Sequence, residues 1–435
     1  MMPIGPIRTP RMEATMVLRD DAFDVVIIGG GIAGSALATV LSRAGKAVLL
    51  LERSLVYRDR VRGEHLQPWG VAEARRLGLY ETLRRAGGAL HTRAVMYDET
   101  VKPSDAEAAA IALDQVLPDV PGTLGVGHPR VCEVLSASAV AAGTRMLRGV
   151  ERAEVELGNP PTVRYWLNGE HVVRCRLVIG ADGRDSAIRR RASIAVHATE
   201  PRLLGAGLLV ENLRGWPEYQ ISIGTEGDRV FFILPQGSER ARLYLMYSRE
   251  QRGRFVGSGG ARAFLESFAL DCVPASECIM RAQPAGPCAA YPMNDTWTDS
   301  PIAAGLALIG DAAGHSDPHA GQGLSVALRD VRILSELLLA GKDWSPDALR
   351  PYAEERAEYT RRLRFYSAMV GTLRGEFSIE APARRRRAYD LMQAAPELAL
   401  WRRASSAGPE SVPASAFDRG IYERLCGRPL SGAGV

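Results

Sequence analysis

From Asp24 the chain runs Asp24-Val-Val-Ile-Ile-Gly29 without a polar break, the pattern of a strand buried on both faces of a parallel sheet. Ile32 to Ala44 then has helical composition, Gly45 closes it, and a second apolar run follows, Ala47-Val-Leu-Leu-Leu-Glu52. Together these predict a βαβ unit. Two later segments repeat the strand-then-turn pattern: Arg176-Leu-Val-Ile-Gly-Ala-Asp182-Gly183 and Leu306-Ala-Leu-Ile-Gly310-Asp311. Each ends in a Gly/Asp pair, where a parallel sheet places its ligands. Between residues 201 and 295 the texture changes to short β-rich runs separated by polar turns, such as Tyr219-Gln-Ile-Ser-Ile and Arg229-Val-Phe-Phe-Ile-Leu. They predict a second, mainly antiparallel domain inserted into the first. From Gly323 onward the pattern is helical, with breaks near Lys342 and Pro382 and a small-residue loop over 404–416.

Composition narrows the classes. A net charge of +4 over 435 residues argues against a nucleic-acid binder. The Arg384–Arg387 run is the most basic local feature and reads as a solvated loop or helix end, with a phosphate or acidic-lipid patch as the sharper alternative. Six cysteines (132, 175, 272, 278, 288, 426) lack Cys-x-x-Cys spacing, so neither a zinc site nor a dithiol pair is expected, and no metal. No apolar run reaches the roughly 18 residues of a membrane span. The first 20 residues read as a frayed leader without the apolar stretch of a signal peptide. A cytoplasmic protein without integral membrane association is the expectation, and the oligomeric state stays open.

The turn after the first strand carries Gly29-x-Gly31-x-x-Gly34. Gly29 permits the tight turn, Gly31 lets backbone approach a pyrophosphate at the helix N-terminus, and Gly34 lets helix and strand pack closely. Glu52, ending the second strand, is placed to accept hydrogen bonds from ribose hydroxyls. Ala33 and Arg53 complete this end of the candidate cofactor site. The pattern predicts a bound dinucleotide.

Two further blocks make the chain resemble the group A FAD-dependent monooxygenases, the para-hydroxybenzoate hydroxylase-like family, over roughly residues 22–345. One is Gly180-Ala-Asp182-Gly183-Arg-Asp-Ser186-Ala-Ile-Arg189, similar to the family's Asp-Gly motif. The other is Gly310-Asp311-Ala-Ala-Gly-His-Ser-Asp-Pro318-His-Ala-Gly321-Gln-Gly323-Leu324, similar to its Gly-Asp motif and flavin-ring loop. The resemblance implies FAD, with Asp182 bearing on cofactor contacts and Asp311 on the ribityl chain. It also implies Pro318 along the ring, and Gly321, Gly323 and Leu324 presenting N–H groups to its N1/C2=O edge. Arg130 in His-Pro-Arg130 and Arg62 in Arg62-Gly-Glu-His-Leu-Gln67-Pro68 resemble the family's cofactor-side arginines.

The implied fold is α/β: a Rossmann-like FAD-binding domain of the glutathione reductase type over 22–200, with small excursions toward the substrate side. An inserted substrate domain follows over 201–295, then a return to the FAD domain over 296–345 and a C-terminal helical region over 346–435. The implied activity is NAD(P)H-dependent monooxygenation, in which a transient NAD(P)H reduces FAD and O2 supplies one oxygen to an apolar, aromatic or polycyclic small molecule. The sequence departs from the family at Asp317-Pro318-His319-Ala320, which makes His319 a candidate to touch substrate or tune the flavin. Tyr291 and His319 are the candidate bases, and His315 reads as structural. No second glycine fingerprint occurs, so nicotinamide has no dinucleotide fold of its own. No Trp-x-Trp-x-Ile-Pro of the halogenases is found. A same-fold halogenase, epoxidase or prenyl-chain reductase, a non-catalytic flavin-binding regulator, and peripheral membrane association of the C-terminal helices remain the alternatives.

Overall fold

The computed structural model describes residues 23–59, 61 and 64–430, which build two large sheets. The leader and candidate Arg62 lie outside the described residues. The glycine turn connects β1 (Phe23–Ile28) to α1 (Ile32–Arg43), which returns as β2 (Val48–Glu52). The chain then leaves this layer for β3 (Arg93–Asp98), comes back through α2 (His128–Ala141) to β4 (Arg145–Arg148), and enters the centre as β5 (Glu170–Gly180). Next come β6 (Leu203–Glu211), β7 (Gln220–Glu226), β8 (Arg229–Gly237), β9 (Arg240–Ser248) and β10 (Ala289–Met293). After β11 (Leu306–Leu308) the chain is helical through α3 (Gly323–Ala340), α4 (Pro346–Arg374) and α5 (Ala381–Ala394).

The first sheet has the order β11-β5-β1-β2-β4, with every one of these neighbours parallel. Val25, Val26 and Ile27 are fully buried, with α1 and α3 packed over one face. This is why β1 reads as an unbroken apolar run. Because β2 and β5 flank β1 on opposite sides, the strand order reverses at β1. A crevice opens there beyond the C-terminal strand ends.

The second sheet runs β10-β6-β9-β8-β7-β3. It is antiparallel except where β7 pairs parallel with β3, Gln220 opposite Arg93. The excursion expected within residues 22–200 is therefore a strand of the second sheet. Its faces alternate: Phe231 and Ile233 join one core, while Val230, Phe232 and Leu234 join another that faces the first domain. Both faces are apolar, so the polar–apolar alternation of a half-exposed sheet is missing from the sequence.

Two expectations for the C-terminal region are corrected. The 404–416 stretch is not an open loop: it forms a short helix, Arg403–Ala407, and two 3-10 turns. Ala404, Ala407, Val412 and Ala416 are buried, Ala404, Val412 and Ala416 in a cluster with Phe365 and Trp401, so its small residues serve close packing. The arginine run is only half solvated: Arg386 and Arg387 are exposed on α5, while Arg384 and Arg385 turn inward. Arg385 is 1% exposed and donates from Nε to Asp98 at 2.9 Å, also pairing with Glu99, while Arg384 donates to Glu376 at 2.8 Å. It ties α5 to the second sheet.

Candidate active site

Three strand ends converge at the crevice. Gly29 N–H donates to the Leu51 carbonyl at 2.8 Å, Ala181 N–H to Ile28 at 2.8 Å, and Ile309 N–H to Gly180 at 3.0 Å. The turns after β1, β5 and β11 are thereby held side by side. Gly29 has φ +109°, and a Cβ there would lie 2.3 Å from the Ala181 carbonyl oxygen. A Cβ on Gly34 would lie 1.9 Å from the Gly29 carbonyl oxygen, so α1 sits against the turn at a distance only glycine permits. Gly31, the residue capping α1, has nothing within 4 Å of an added Cβ and faces the open crevice. Gly34 is a packing residue, whereas Gly31 lines the open cavity.

The acidic candidates are partly engaged by the chain. Glu52 accepts from Gly30 N–H and from Ser54 N–H, each at 2.6 Å, which fixes its carboxylate at the crevice floor. Asp182 accepts from the Ser186 hydroxyl at 2.5 Å and from the Ala187 and Ile188 N–H groups at 2.7 and 3.2 Å. It builds the Asp-Gly turn. Asp311 lies across the crevice with Arg184 Nε at 3.3 Å.

A single cavity of about 1030 Å³ links these groups. Gly29, Gly31, Ala33, Glu52, Arg53, Asp182, Asp311, Pro318, His319, Gly321, Gly323 and Leu324 all line it, which gathers nearly the whole expected site. Arg130 does not line it. Its guanidinium faces solvent beside Glu133 at 3.2 Å, and His128 and Cys132 of the same helix meet the cavity instead. The cavity continues past Pro318–Leu324 to the inner face of the second sheet, where Ile221, Phe232, Leu234, Met246 and Tyr291 supply an apolar wall.

The loop between these halves rests on a buried ion pair. Arg356 on α4, 3% exposed, lies 3.2 Å from the fully buried Asp330 on α3. It also donates to the carbonyls of Ala313, Gly310 and Gly314 at 3.1, 3.3 and 3.0 Å. Asp330 in turn accepts from Gly310 N–H at 2.7 Å and from the Tyr359 hydroxyl. Further along, Asp317 N–H donates to Asp295 at 2.8 Å, and the Asp317 carboxylate accepts from His319 N–H at 2.8 Å. Burial raises the pKa of both Asp295 and Asp317, and for Asp295 the charge of Asp317 adds to it. His315 Nδ1 is bonded to the Thr296 hydroxyl at 2.8 Å, and the residue lines the cavity.

Neither candidate base has a pKa suited to that role. Burial, and then the charge of Arg374, hold His319 down to about 3, so it stays neutral, and its Nε2 is buried without a hydrogen-bond partner. Burial raises Tyr291 above the usual phenol range, so it stays protonated. The group that sequence reasoning missed is Glu64. It lines the cavity at 3% exposure, accepts from the Tyr244 hydroxyl at 2.6 Å and lies 2.6 Å from Arg242, which also meets Asp59 at 2.5 Å. Burial outweighs its share of that guanidinium and raises it to about 7. A carboxyl raised from 4.5 to about 7 stabilises the fold below pH 4.5 and loses that contribution as pH rises through 7. Glu64→Gln keeps the neutral shape, so wild type should lose on the order of 3 kcal/mol relative to the variant between pH 5 and 8. Paired melting curves over that range check it, and parallel curves would refute it.

A conserved-domain model described as an FAD binding domain matches residues 22–364, and the chain belongs to that family, the group A flavin monooxygenase family. Among curated relatives, squalene epoxidase 3 of Arabidopsis thaliana is 27% identical over 72% of this chain and 60% of its own length. The chain thus spans less than two thirds of that protein. The 3-demethoxyubiquinol 3-hydroxylase of Escherichia coli is 26% identical over 74% of this chain and 81% of its own. Among solved structures, the flavin-dependent halogenase CmlS superposes with TM-score 0.72 at 20% identity, covering 87% of this chain and 72% of that one. PqsL of Pseudomonas aeruginosa, titled a probable FAD-dependent monooxygenase, gives 0.69 at 23% identity, covering 85% of this chain and all of its own. The expected α/β FAD-binding fold is borne out.

Proposed function

We propose that the protein is an FAD-dependent monooxygenase that uses NAD(P)H and O2 to hydroxylate or epoxidise an apolar, aromatic or polycyclic small molecule. The observation that carries this reading is the continuity of the cavity, from the glycine turn past Pro318–Leu324 to the apolar wall of the second sheet. Such a shape holds a long cofactor at one end and a substrate at the other. It also supports the division into an FAD domain over 22–200 and 296–345, a substrate domain over 201–295 and a helical region over 346–435.

The donor set fits FAD. Gly31 at the α1 N-terminus would give a pyrophosphate an open approach to N–H groups, Glu52 and Arg53 would take the adenosine ribose, and Asp311 would suit the ribityl hydroxyls. The N-terminus of α3 at Gly323 and Leu324 lines the cavity, where its positive dipole would favour negative charge on a bound ring. When bound, FAD supplies the hydride acceptance and O2 activation. The chain positions substrate against Pro318–Leu324, keeps water off it with Phe232, Leu234 and Met246, and offers Glu64 as the carboxyl whose proton moves near neutral pH. His319 contributes a neutral imidazole at the junction.

O2 uptake and NADH or NADPH oxidation by the FAD-loaded protein, measured across a panel of aromatic compounds, test the reading. Ligand-stimulated oxidation with an oxygenated product is expected. FAD binding without stimulation by any of them would favour a non-catalytic flavoprotein.

A further inference from the structure

The far wall of the chamber carries two arginines that no carboxylate among the described residues neutralises. Arg374 ends α4, and Arg402 ends the 3-10 segment Pro396–Arg402, and both line the cavity together with His319 and Tyr366. Neither guanidinium has a hydrogen bond or ion pair among the described residues. Four fully or nearly buried guanidiniums elsewhere, Arg242, Arg329, Arg356 and Arg385, each meet a carboxylate, whereas Arg374 and Arg402 are half-buried and meet none.

Arg402 feels burial, the like charge of Arg374 and only two phenols, Tyr389 and Tyr366, as opposing groups. The helix dipole at the end of α4 offsets part of one charge at most. Two more polar atoms at this wall lack partners: the indole N–H of Trp401, in a residue 3% exposed, and His319 Nε2, in a residue 6% exposed. Like charges brought together with unspent donors at the edge of an apolar wall make a site that an anion would stabilise.

We propose that Arg374 and Arg402 bind an anionic group of the substrate, a carboxylate or phosphate, so that the substrate class is an apolar ring system with an acidic end. This rests on reading the chamber as the substrate site. The guanidinium forks hold the acidic end at the C-terminal wall, and the apolar body lies across Phe232 and Leu234 toward the flavin loop. The anion fixes which carbon reaches that loop. Arg374 and Arg402 are therefore positioning and specificity-determining residues.

The probes are 2-naphthoate and its neutral isostere 2-naphthamide, titrated into the FAD-loaded protein while the visible flavin spectrum is followed. Naphthoate is expected to bind at least tenfold more tightly, with affinity falling as salt rises. Arg374→Gln and Arg402→Gln should each lose that advantage while keeping flavin content and naphthamide affinity, and Arg374→Lys should keep part of it. Phosphates of NAD(P)H are the other source of such an anion, so 2′,5′-ADP is run as competitor. Displacement of naphthoate by 2′,5′-ADP at equal or better affinity would assign the pair to the nicotinamide cofactor and overturn the proposal. Equal affinity for acid and amide also overturns it, but leaves the chamber intact. If neither compound moves the spectrum, the chamber and its anion site fall together.

Discussion

Replacing Arg356 with leucine is expected to cost about 3–5 kcal/mol of stability and to leave the purified protein without FAD. The arginine is buried between α4 and the Gly310–Gly314 turn, where it meets Asp330 and donates to three backbone carbonyls. Leucine fills much of its volume but leaves a fully buried carboxylate facing only Gly310 N–H and the Tyr359 hydroxyl. The turn that carries Asp311 then loses its anchor. Because the penalty is that of an orphaned charge, Arg356→Leu combined with Asp330→Leu should recover part of the stability, and the double variant should still fail to hold flavin. Urea midpoints and the flavin-to-protein absorbance ratio report the two effects separately. A single variant with a wild-type midpoint and full flavin content would contradict this role.

The second large effect separates two glycines of the same fingerprint. Gly34→Ala puts a methyl group 1.9 Å from the Gly29 carbonyl oxygen and 3.2 Å from the Ala181 Cβ, so α1 must move off β1. Both the melting temperature of the apoprotein and its FAD affinity should fall, the affinity more than tenfold. Gly31→Ala meets no protein atom within 4 Å, and its backbone angle of −72° suits alanine. It should leave the apoprotein as stable as wild type and weaken FAD alone, because the added methyl group stands where the pyrophosphate must approach. Apoprotein melting curves and FAD titrations of both variants check the contrast. Equal loss of stability in the two would remove the distinction between packing and ligand-facing glycines.

The legibility of the site followed sequence distance. The glycine fingerprint with Glu52 was readable from its spacing on one βαβ unit, and the Asp182 turn and the Asp311–Leu324 loop from contiguous motifs that resemble the family's. Arg130 was misplaced by two residues of helix phase. On α2, His128 and Cys132 stand four apart on the cavity face, and the residue midway between them points away. Glu64 sat inside a segment already singled out, but its pKa depends on burial beneath β9 and on Arg242 and Tyr244, far along the chain. The Asp330–Arg356 pair joins two helices, and the inward half of the arginine run was missed because Arg385 finds Asp98, 287 residues away. Nor did composition show that Arg374 and Arg402 lack acidic partners, since that follows from which side chains the fold brings together.

The most direct test of the central claim, that one cavity brings a flavin and an apolar substrate together for oxygen transfer, is isotopic. FAD-loaded protein is supplied with NADH or NADPH, oxygen-18 gas and a panel of polycyclic aromatic acids, and every compound that is turned over is examined by mass spectrometry. The account predicts a product carrying one oxygen-18 atom from the gas. A product that gains only hydrogens, or that gains halogen when bromide or chloride is present, would contradict it.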